Sequence, residues 1–579
     1  MTNGRKPFRW ELPVHPASEV AALSQALGLG LPATRVLWTR EIRNTADAER
    51  FLRPSLTELH DPYGLADMAK AASRLAQAVR SGEKILLYGD YDVDGTSSVV
   101  ILVSALRLAG ASVDFHVPHR MREGYGMRTE VVEQAAADGV ALIVSVDTGI
   151  RAGAVVAHAT QLGIDVIVTD HHLPDGELPA AVAVLNPNRL DCPYPSKNLC
   201  GAAVALKLAQ ALFVELGWEP ARRERLLGSF LKLAAIATVA DVVPLTGENR
   251  AIVKHGLEGL RDPRNIGLKA LFAVAGLVEG AMPSARQVAF QIAPRINAAG
   301  RMDDARNVIE LFLTADPSRA KELAEALDAM NKERQDTQAE IVKTCEGVPV
   351  CDEQAGLVFA APEWHAGVVG IVAGRLVERY ARPVFVLSED LETGEAKGSG
   401  RSPANFHLLE ALESMPELFL KFGGHRQAAG LTMKSHRIPE FRERFAAYAA
   451  AVLSEEDRVP VLDIDAGATL GELDDRGAAD LLSLAPFGAS NQPPLLALRG
   501  LDLVLTPEVK NDKHLFLKVR QDGVMRQIKG WNMAGYADGL RAGDRVDAAV
   551  LVEEDAWSLA RGGCGWGLIL KDLRRARDY

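Results

Sequence analysis

Between Lys84 and Thr169 the chain repeats a single pattern, a short apolar run followed by a stretch with helical spacing. The runs are Ile85–Tyr88, Val113–Val117, Leu142–Val146 and Val166–Thr169; Ser97–Leu108, Arg128–Ala137 and Ala152–Leu162 carry the helical spacing. Runs this short, with little polar alternation, need apolar cover on both faces, and a parallel sheet between helical layers supplies it. The pattern predicts an α/β domain whose strand-end loops gather at one edge of the sheet.

Three of those loops are acidic. G-D-Y-D-V-D-G spans Gly89–Gly95, V-D-T-G spans Val146–Gly149, and T-D-H-H spans Thr169–His172. Carboxylates packed this closely repel one another unless cations hold them. The D-x-D-x-D-G spacing also opens an EF-hand loop, but with Asp90 at position 1 the twelfth position is Ile101, where calcium needs a Glu. An oxygen-rich set with some imidazole suits Mn²⁺ or Mg²⁺, whereas zinc would use more His or Cys. Asp241, alone in the apolar helical run A-T-V-A-D-V-V-P-L, is a fourth acid that a cation partner would explain.

Two segments favour anions. Ala293–Met302 sets Arg295, Asn297 and Arg301 among small residues, and Gly398–Ser402 is expected as a glycine-rich turn carrying Ser399 and Arg401. Gly423, Gly424, His425 and Gly430 are expected in a second flexible loop. Exposed backbone N–H groups, Ser and Arg are phosphate ligands.

The remaining sequence divides the chain. Residues 1–50 read as an irregular lead-in with some helix, 51–315 as the first α/β domain, and 316–346 as a long connecting helix. Residues 347–455 read as a second α/β domain. In 456–579 five short alternating runs (Leu501–Leu505, His514–Val519, Met525–Trp531, Arg545–Leu551, Gly567–Leu573) suit a small β-barrel with a tail. The segment resembles an OB-fold, and the resemblance implies that Phe516, Trp531 and Trp557 stack bases while Lys510, Lys513, Lys518 and Arg520 track a strand's backbone; Arg574, Arg575 and Arg577 lie in the tail.

Composition excludes several classes. With 65 Lys and Arg against 76 Asp and Glu, the net charge of −11 rules out a polycation that coats nucleic acid, though not a local basic groove. The five cysteines form no C-x-x-C pair, which argues against a zinc ribbon or a disulfide framework. Met1–Pro13 has no apolar core, and Phe230–Leu245, the nearest approach to a membrane span, contains Lys232 and Asp241. A cytoplasmic protein without membrane association is expected.

The four acidic motifs stand in the order and spacing of the DHH phosphoesterase superfamily. G-S-G-R-S and G-G-H-R-Q-A-A-G resemble the DHHA1 domain that accompanies it, while P-R-I-N-A-A-G-R-M and A-P-F-G-A-S-N-Q-P-P (Ala485–Pro494) resemble its RecJ branch. The resemblance covers roughly residues 35–579. It implies a DHH domain with a parallel sheet and a DHHA1 domain joined by a long helix, followed by an OB-fold barrel. It further implies a 5′→3′ exonuclease that degrades single-stranded DNA to mononucleotides with two divalent cations, Mn²⁺ or Mg²⁺, in repair and recombination. Carried over by motif, Asp90, Asp92, Asp94, Asp147, His171 and Asp241 are the metal ligands. Asp92, Asp94, Asp147, His171 and His172 are the catalytic group, with His172 beside the scissile phosphate. Arg295, Asn297, Arg301, Ser399, Arg401 and His425 would contact the strand, with Arg301, Ser399, Arg401 and His425 gripping phosphates between the two α/β domains. Tyr88 stands where smaller members carry a His, with Asp90 filling in as ligand, and Thr148 stands where Asn is common. The resemblance also implies cooperation with single-strand-binding protein and a RecQ-type helicase, and a monomer is expected. Two other classes compete: a phosphodiesterase for small or cyclic nucleotides, against which residues 456–579 argue, and a non-catalytic scaffold, against which the intact acids argue.

Overall fold

The computed structural model describes residues 8–120, 122–124, 126–302 and 304–576, and the backbone alone of Ala556 and Trp557. The Trp557 side chain and Arg577 therefore lie outside the described residues. The chain forms two compact units: Glu49–Glu333 with Ala485–Gln492, and the residues up to Ala48 with Arg334–Leu484 and the segment from Pro493.

The first unit is built on five parallel strands, β1 (Lys84–Tyr88), β2 (Ser112–His116), β3 (Leu142–Val146), β4 (Asp165–Thr169) and β5 (Ala183–Leu185), ordered β2-β1-β3-β4-β5. On β1, β3 and β4 both faces are buried, and successive residues alternate between two cores. Ile85, Leu87, Leu142, Val144 and Ile167 enter one; Leu86, Tyr88, Ile143, Val166 and Val168 enter the other. Each such side chain contributes about 1.5–3 kcal/mol of apolar burial, so unbroken apolar runs are what this position demands. The connecting helices are α1 (Val93–Leu108), α2 (Thr129–Ala137) and α3 (Gly153–Gln161), followed by α4 (Gly201–Glu215), α5 (Pro220–Ala240) and α6 (Ala293–Met302). Tyr88 is a core residue whose hydroxyl donates to the Gly126 carbonyl at 3.3 Å.

Helix α1 starts at Val93, not at Ser97, because Asp92 caps it. Its fit depends on Gly95, where a Cβ would sit 2.6 Å from the Asp90 carbonyl oxygen. The A-P-F-G-A-S-N-Q-P-P segment also serves this unit. Buried Arg250 donates to the carbonyls of Phe51, Ala485 and Pro486, and the Leu245 N–H donates to the Ala489 carbonyl.

Helix α7 (Pro317–Glu346) follows, and the division between the two units falls inside it. In the second unit β6 (Leu357–Pro362), α8 (Val369–Tyr380), β7 (Val384–Asp390), β8 (Glu395–Arg401), β9 (Phe419–Gly424) and β10 (Ala428–Lys434) build a mixed sheet ordered β9-β10-β8-β7-β6. Gly398–Arg401 is thus strand, not the expected turn. A Cβ on Gly400 would lie 2.4 Å from the Phe385 ring, so the glycine lets β8 pack flat over that ring. The expected second flexible loop is likewise a β-hairpin of β9 and β10, with His425 at its turn.

The C-terminal strands β11 (Leu495–Leu503), β12 (His514–Gln521), β13 (Val524–Gly530), β14 (Arg545–Glu554) and β15 (Trp566–Arg575) close a barrel. The pairing runs β11-β14-β15-β13-β12 and returns to β11 at Leu503 and Val519. Residues 8–50 are more regular than an irregular lead-in, with helices Ala17–Leu27, Leu31–Thr39 and Thr45–Leu52. Those up to Ala48 belong to this unit, where the Trp10 indole donates to Asp572 at 2.7 Å and the Gly30 N–H donates to Asp480 at 2.7 Å. Among the described residues no single helix is long and apolar enough to cross a membrane.

Candidate metal centre

The loops after β1, β3 and β4 and the end of α5 bring the predicted acids together. Asp92 Oδ1 accepts the N–H groups of Asp94 and Gly95 at 2.9 and 3.0 Å. Asp94 is turned onto the N-terminus of α4, where Gly201 and Ala202 donate their N–H groups at 2.6 and 2.7 Å. A Cβ on Gly201 would lie 2.7 Å from Asp147, so glycine lets α4 reach both acids. Asp147 has φ 58°, and Val242, directly after Asp241, has the same value. For a β-branched residue that is an outlier, and strain of this kind clusters at functional sites.

His171 Nε2 stands 3.1 Å from Asp147, 3.6 Å from Asp94 and 3.7 Å from Asp241. Asp94, His171 and Asp241 bring ligand atoms within 4.8 Å of one another, as do Asp90, Asp92 and Asp147, and Asp147, His171 and His172. Asp147 belongs to two of these sets, so it would contribute to both seats if two ions bound.

The electrostatics make the same demand. Burial, reinforced by the charge of Asp92, pushes Asp90 up to about 8. Burial, then Asp94 and Asp92, push Asp241 up to about 8 as well. Burial followed by neighbouring carboxylates also raises Asp92 and Asp147. Asp90 Oδ1 is buried with no hydrogen-bond partner. Burial lowers His171 and keeps its imidazole neutral, the form that ligates a cation. Carboxylates with one or two imidazoles and no thiolate fit hard divalent ions.

Asp90 and Asp241 hold protons in the folded metal-free chain up to about pH 8, whereas the unfolded chain releases them near pH 4. Their contribution is fully present below about pH 4 and is lost as pH rises through about 8. Divalent cations replace those protons, so Mn²⁺ should raise the melting temperature more at pH 8 than at pH 5, each measured against EDTA. An equal shift at both values would remove these acids as the seat.

His172 is held differently. Its Nδ1 lies 2.7 Å from Asp170 Oδ1, and that oxygen also accepts the N–H groups of His171 and His172, while Oδ2 accepts the Ile150 N–H at 2.9 Å. Burial alone would raise Asp170, but these bonds, His172 first, hold it below the ordinary carboxylate range. Asn186 and Asn188 donate to the carbonyls of His172 and His171 at 2.8 and 2.5 Å. Sequence reasoning placed Asp170 in the third acidic loop without a role of its own and passed over Asn186 and Asn188, although N-P-N at Asn186–Asn188 was a visible turn signal.

The remaining candidates separate. Asn297 accepts the Val93 N–H at 3.2 Å and so supports the acidic loop. Arg295 is engaged by Asp328 at 2.7 and 2.8 Å and by the Gln291 carbonyl at 2.6 Å, so a phosphate would have to displace Asp328. Arg301 lies on α6, and a Cβ on neighbouring Gly300 would meet the Tyr91 carbonyl at 2.5 Å. The guanidinium of Arg120, which sequence reasoning missed, covers the Tyr91 ring at 5.0 Å, and its charge bears on Asp90. In the second unit Arg401 Nη1 donates to Ser399 Oγ at 3.1 Å, and a Cβ on Gly370, in the first turn of α8, would lie 2.9 Å from that hydroxyl. Hydroxyl, guanidinium and the first turn of α8 thus lie side by side there. His425 sits in the hairpin beside Ala428, the cross-strand partner of Arg401. On the barrel, Phe516, Lys518 and Arg520 alternate along one face of β12. Half-exposed Trp531 stands edge-on 6.3 Å from Phe516, and Lys510 lies 4.7 Å from the Phe516 ring.

Residues 84–238 match the DHH family N-terminal domain, 353–451 the DHHA1 domain, and 464–561 the RecJ OB domain. The chain is 36% identical to the single-stranded-DNA-specific exonuclease RecJ of Bacillus subtilis, over 95% of this chain and 69% of that one. It is 38% identical to the Escherichia coli protein of the same name, over 84% of this chain and 89% of that one. The crystal structure of Thermus thermophilus RecJ in complex with Mn²⁺ superposes with a TM-score of 0.82 at 33% identity, covering 99% of this chain and 80% of that one.

Proposed function

The chain belongs to the RecJ family of DHH phosphoesterases, and from that premise we propose that it is a 5′→3′ exonuclease of single-stranded DNA, releasing mononucleotides by hydrolysis with two divalent cations, Mn²⁺ or Mg²⁺. The observation that carries this reading is the convergence of Asp90, Asp92, Asp94, Asp147, His171 and Asp241, with Asp147 common to two ligand sets. Bound ions would lower the pKa of a water and stabilise charge on the attacked phosphate.

The protein residues do the rest. Asp92 and Asp94 hold their positions through the first turns of α1 and α4. His171 presents a neutral nitrogen, and His172, braced by Asp170, faces the scissile phosphate as a donor. Arg301 and the Ser399–Arg401 pair bind strand phosphates, and Phe516 and Trp531 offer stacking surfaces for bases. On this reading the enzyme acts in DNA repair and recombination, as a cytoplasmic monomer working with single-strand-binding protein and a RecQ-type helicase.

The test is release of mononucleotides from a long 5′-phosphorylated single strand with Mn²⁺, compared with a duplex and a cyclic dinucleotide. Turnover of the cyclic dinucleotide alone would reverse the conclusion. Polarity is tested in the same assay. We assign the 5′-phosphate to Ser399 and Arg401, because a terminal phosphate carries charge that an internal one lacks. Charge-assisted bonds contribute roughly 1.5–3 kcal/mol, so Arg401→Ala should cost about tenfold or more in kcat/KM on 5′-phosphorylated strands. The loss on 5′-hydroxyl strands should be smaller. Equal losses would move Arg401 to an internal phosphate.

A further inference from the structure

Beside the acid cluster, on the β3–β4 side, the first unit contains a cavity of about 320 Å³. Met127, Ile150 and Val155 form its apolar wall; Thr148, Arg151 and His172 form its polar wall. Four features suit it to an anion attached to an apolar body. Thr148 is 1% exposed and stands in the cavity wall. The first turn of α3 opens onto the cavity without a side-chain cap on its N–H groups. Arg151 is anchored at the rim by Nε and Nη2, which donate to the Leu173 carbonyl at 3.3 and 3.1 Å. The acid in the wall, Asp170, already has its oxygens occupied by Ile150, His171 and His172.

We propose that this cavity binds the sugar-phosphate on the 3′ side of the scissile bond, with the phosphate on Thr148, Arg151 and the first turn of α3 and the deoxyribose against Met127, Ile150 and Val155. The inference deepens the exonuclease reading and rests on it. A strand being shortened from its 5′ end has one nucleotide on that side of the reacting phosphate and all the rest on the other. Arg120, Tyr91 and Arg301 stand on the β2–β1 side of the acids. The cavity has His172 and the loops after β3 and β4 in its wall, and the departing strand is assigned to that side. A subsite there would grip each incoming nucleotide before the bond ahead of it is cut.

The experiment compares 5′-phosphorylated di- and trinucleotides with Mn²⁺. The dinucleotide has only the scissile internal phosphate; the trinucleotide adds the one assigned to the cavity. For the wild type, replacing that second internal phosphate by a neutral methylphosphonate should lower kcat/KM by about tenfold, as expected for a lost charge-assisted contact. This arm requires no variant to fold. Arg151→Ala should cost about tenfold more on the trinucleotide than on the dinucleotide, and the methylphosphonate should cause it little further loss. Thr148→Val should move the same ratio in the same direction. Equal losses on both substrates, or full methylphosphonate sensitivity in Arg151→Ala, would overturn the subsite. A wild-type protein that hydrolyses neither oligonucleotide would instead overturn the exonuclease reading beneath it.

Discussion

Asp147→Asn is expected to lower strand degradation by about 10³-fold or more and, in EDTA at pH 8, to raise the melting temperature of the protein. The activity loss follows from position. Asp147 is shared by two ligand sets and lies 3.1 Å from His171, so removing its charge weakens both cation seats at once. Metal-assisted hydrolysis rests on several kcal/mol of charge stabilisation, and each 1.36 kcal/mol is tenfold in rate. The stability gain follows from burial and from the charges of Asp94, Asp92 and Asp90, which raise the Asp147 carboxyl. The folded metal-free chain must keep it protonated at a pH where the unfolded chain would ionise it. Asn has no such cost, and it tolerates the positive φ of this position as Asp does. The gain should fade towards pH 4, where the unfolded carboxyl is protonated as well. Adding Mn²⁺ should reverse the order, stabilising the wild type more than the variant. Wild-type turnover by pure Asp147→Asn would remove the residue from the reaction, and a lower metal-free melting temperature at pH 8 would refute the electrostatic account.

The parallel sheet was legible because its strands are buried on both faces, so apolar runs and strand ends coincide along β1, β3 and β4. The acids were legible for a related reason: each directly follows such a run, and the topology then has little choice about where it goes. Short-range capping was harder to read. G-D-Y-D-V-D-G looked like a loop before a helix, yet Asp92 starts α1 inside the motif. Glycine misled in the second unit. Gly398 and Gly400 read as turn residues, but their lack of a side chain serves strand packing against Leu387 and Phe385. The partners that brace the reacting groups were the least visible, because their signal is tertiary. Asn186 and Asn188 hold the carbonyls of His172 and His171 from the far side of β5, and Gly370 meets Ser399 across about thirty residues of sequence. Arg295 and Arg301 looked alike in the sequence, and only the fold pairs the first with Asp328.

Asp170→Asn is expected to lower kcat by about 10²-fold while leaving the two-ion stoichiometry and the affinity for single strands nearly unchanged. Asp170 is fully buried and touches no solvent; it reaches the reaction through His172, whose Nδ1 lies 2.7 Å from it. It is therefore a positioning residue, and its loss should cost about what a misplaced donor to a reacting oxygen costs, roughly 10²–10³-fold. The exchange is nearly isosteric, but the new amide has one donor where the carboxylate had an acceptor. That donor must face either Ile150 or the histidine loop, both of which donate N–H groups. A buried mismatch of this kind destabilises by roughly 1–3 kcal/mol, so kinetics should be measured well below the melting temperature of the variant. What separates positioning from general damage is a double-mutant cycle. His172→Ala should lose about as much kcat as Asp170→Asn, and the pair together should lose little more than either alone, as groups that act as one unit do. Losses that instead multiply to about 10⁴-fold would show that Asp170 acts independently of His172, through the backbone it holds.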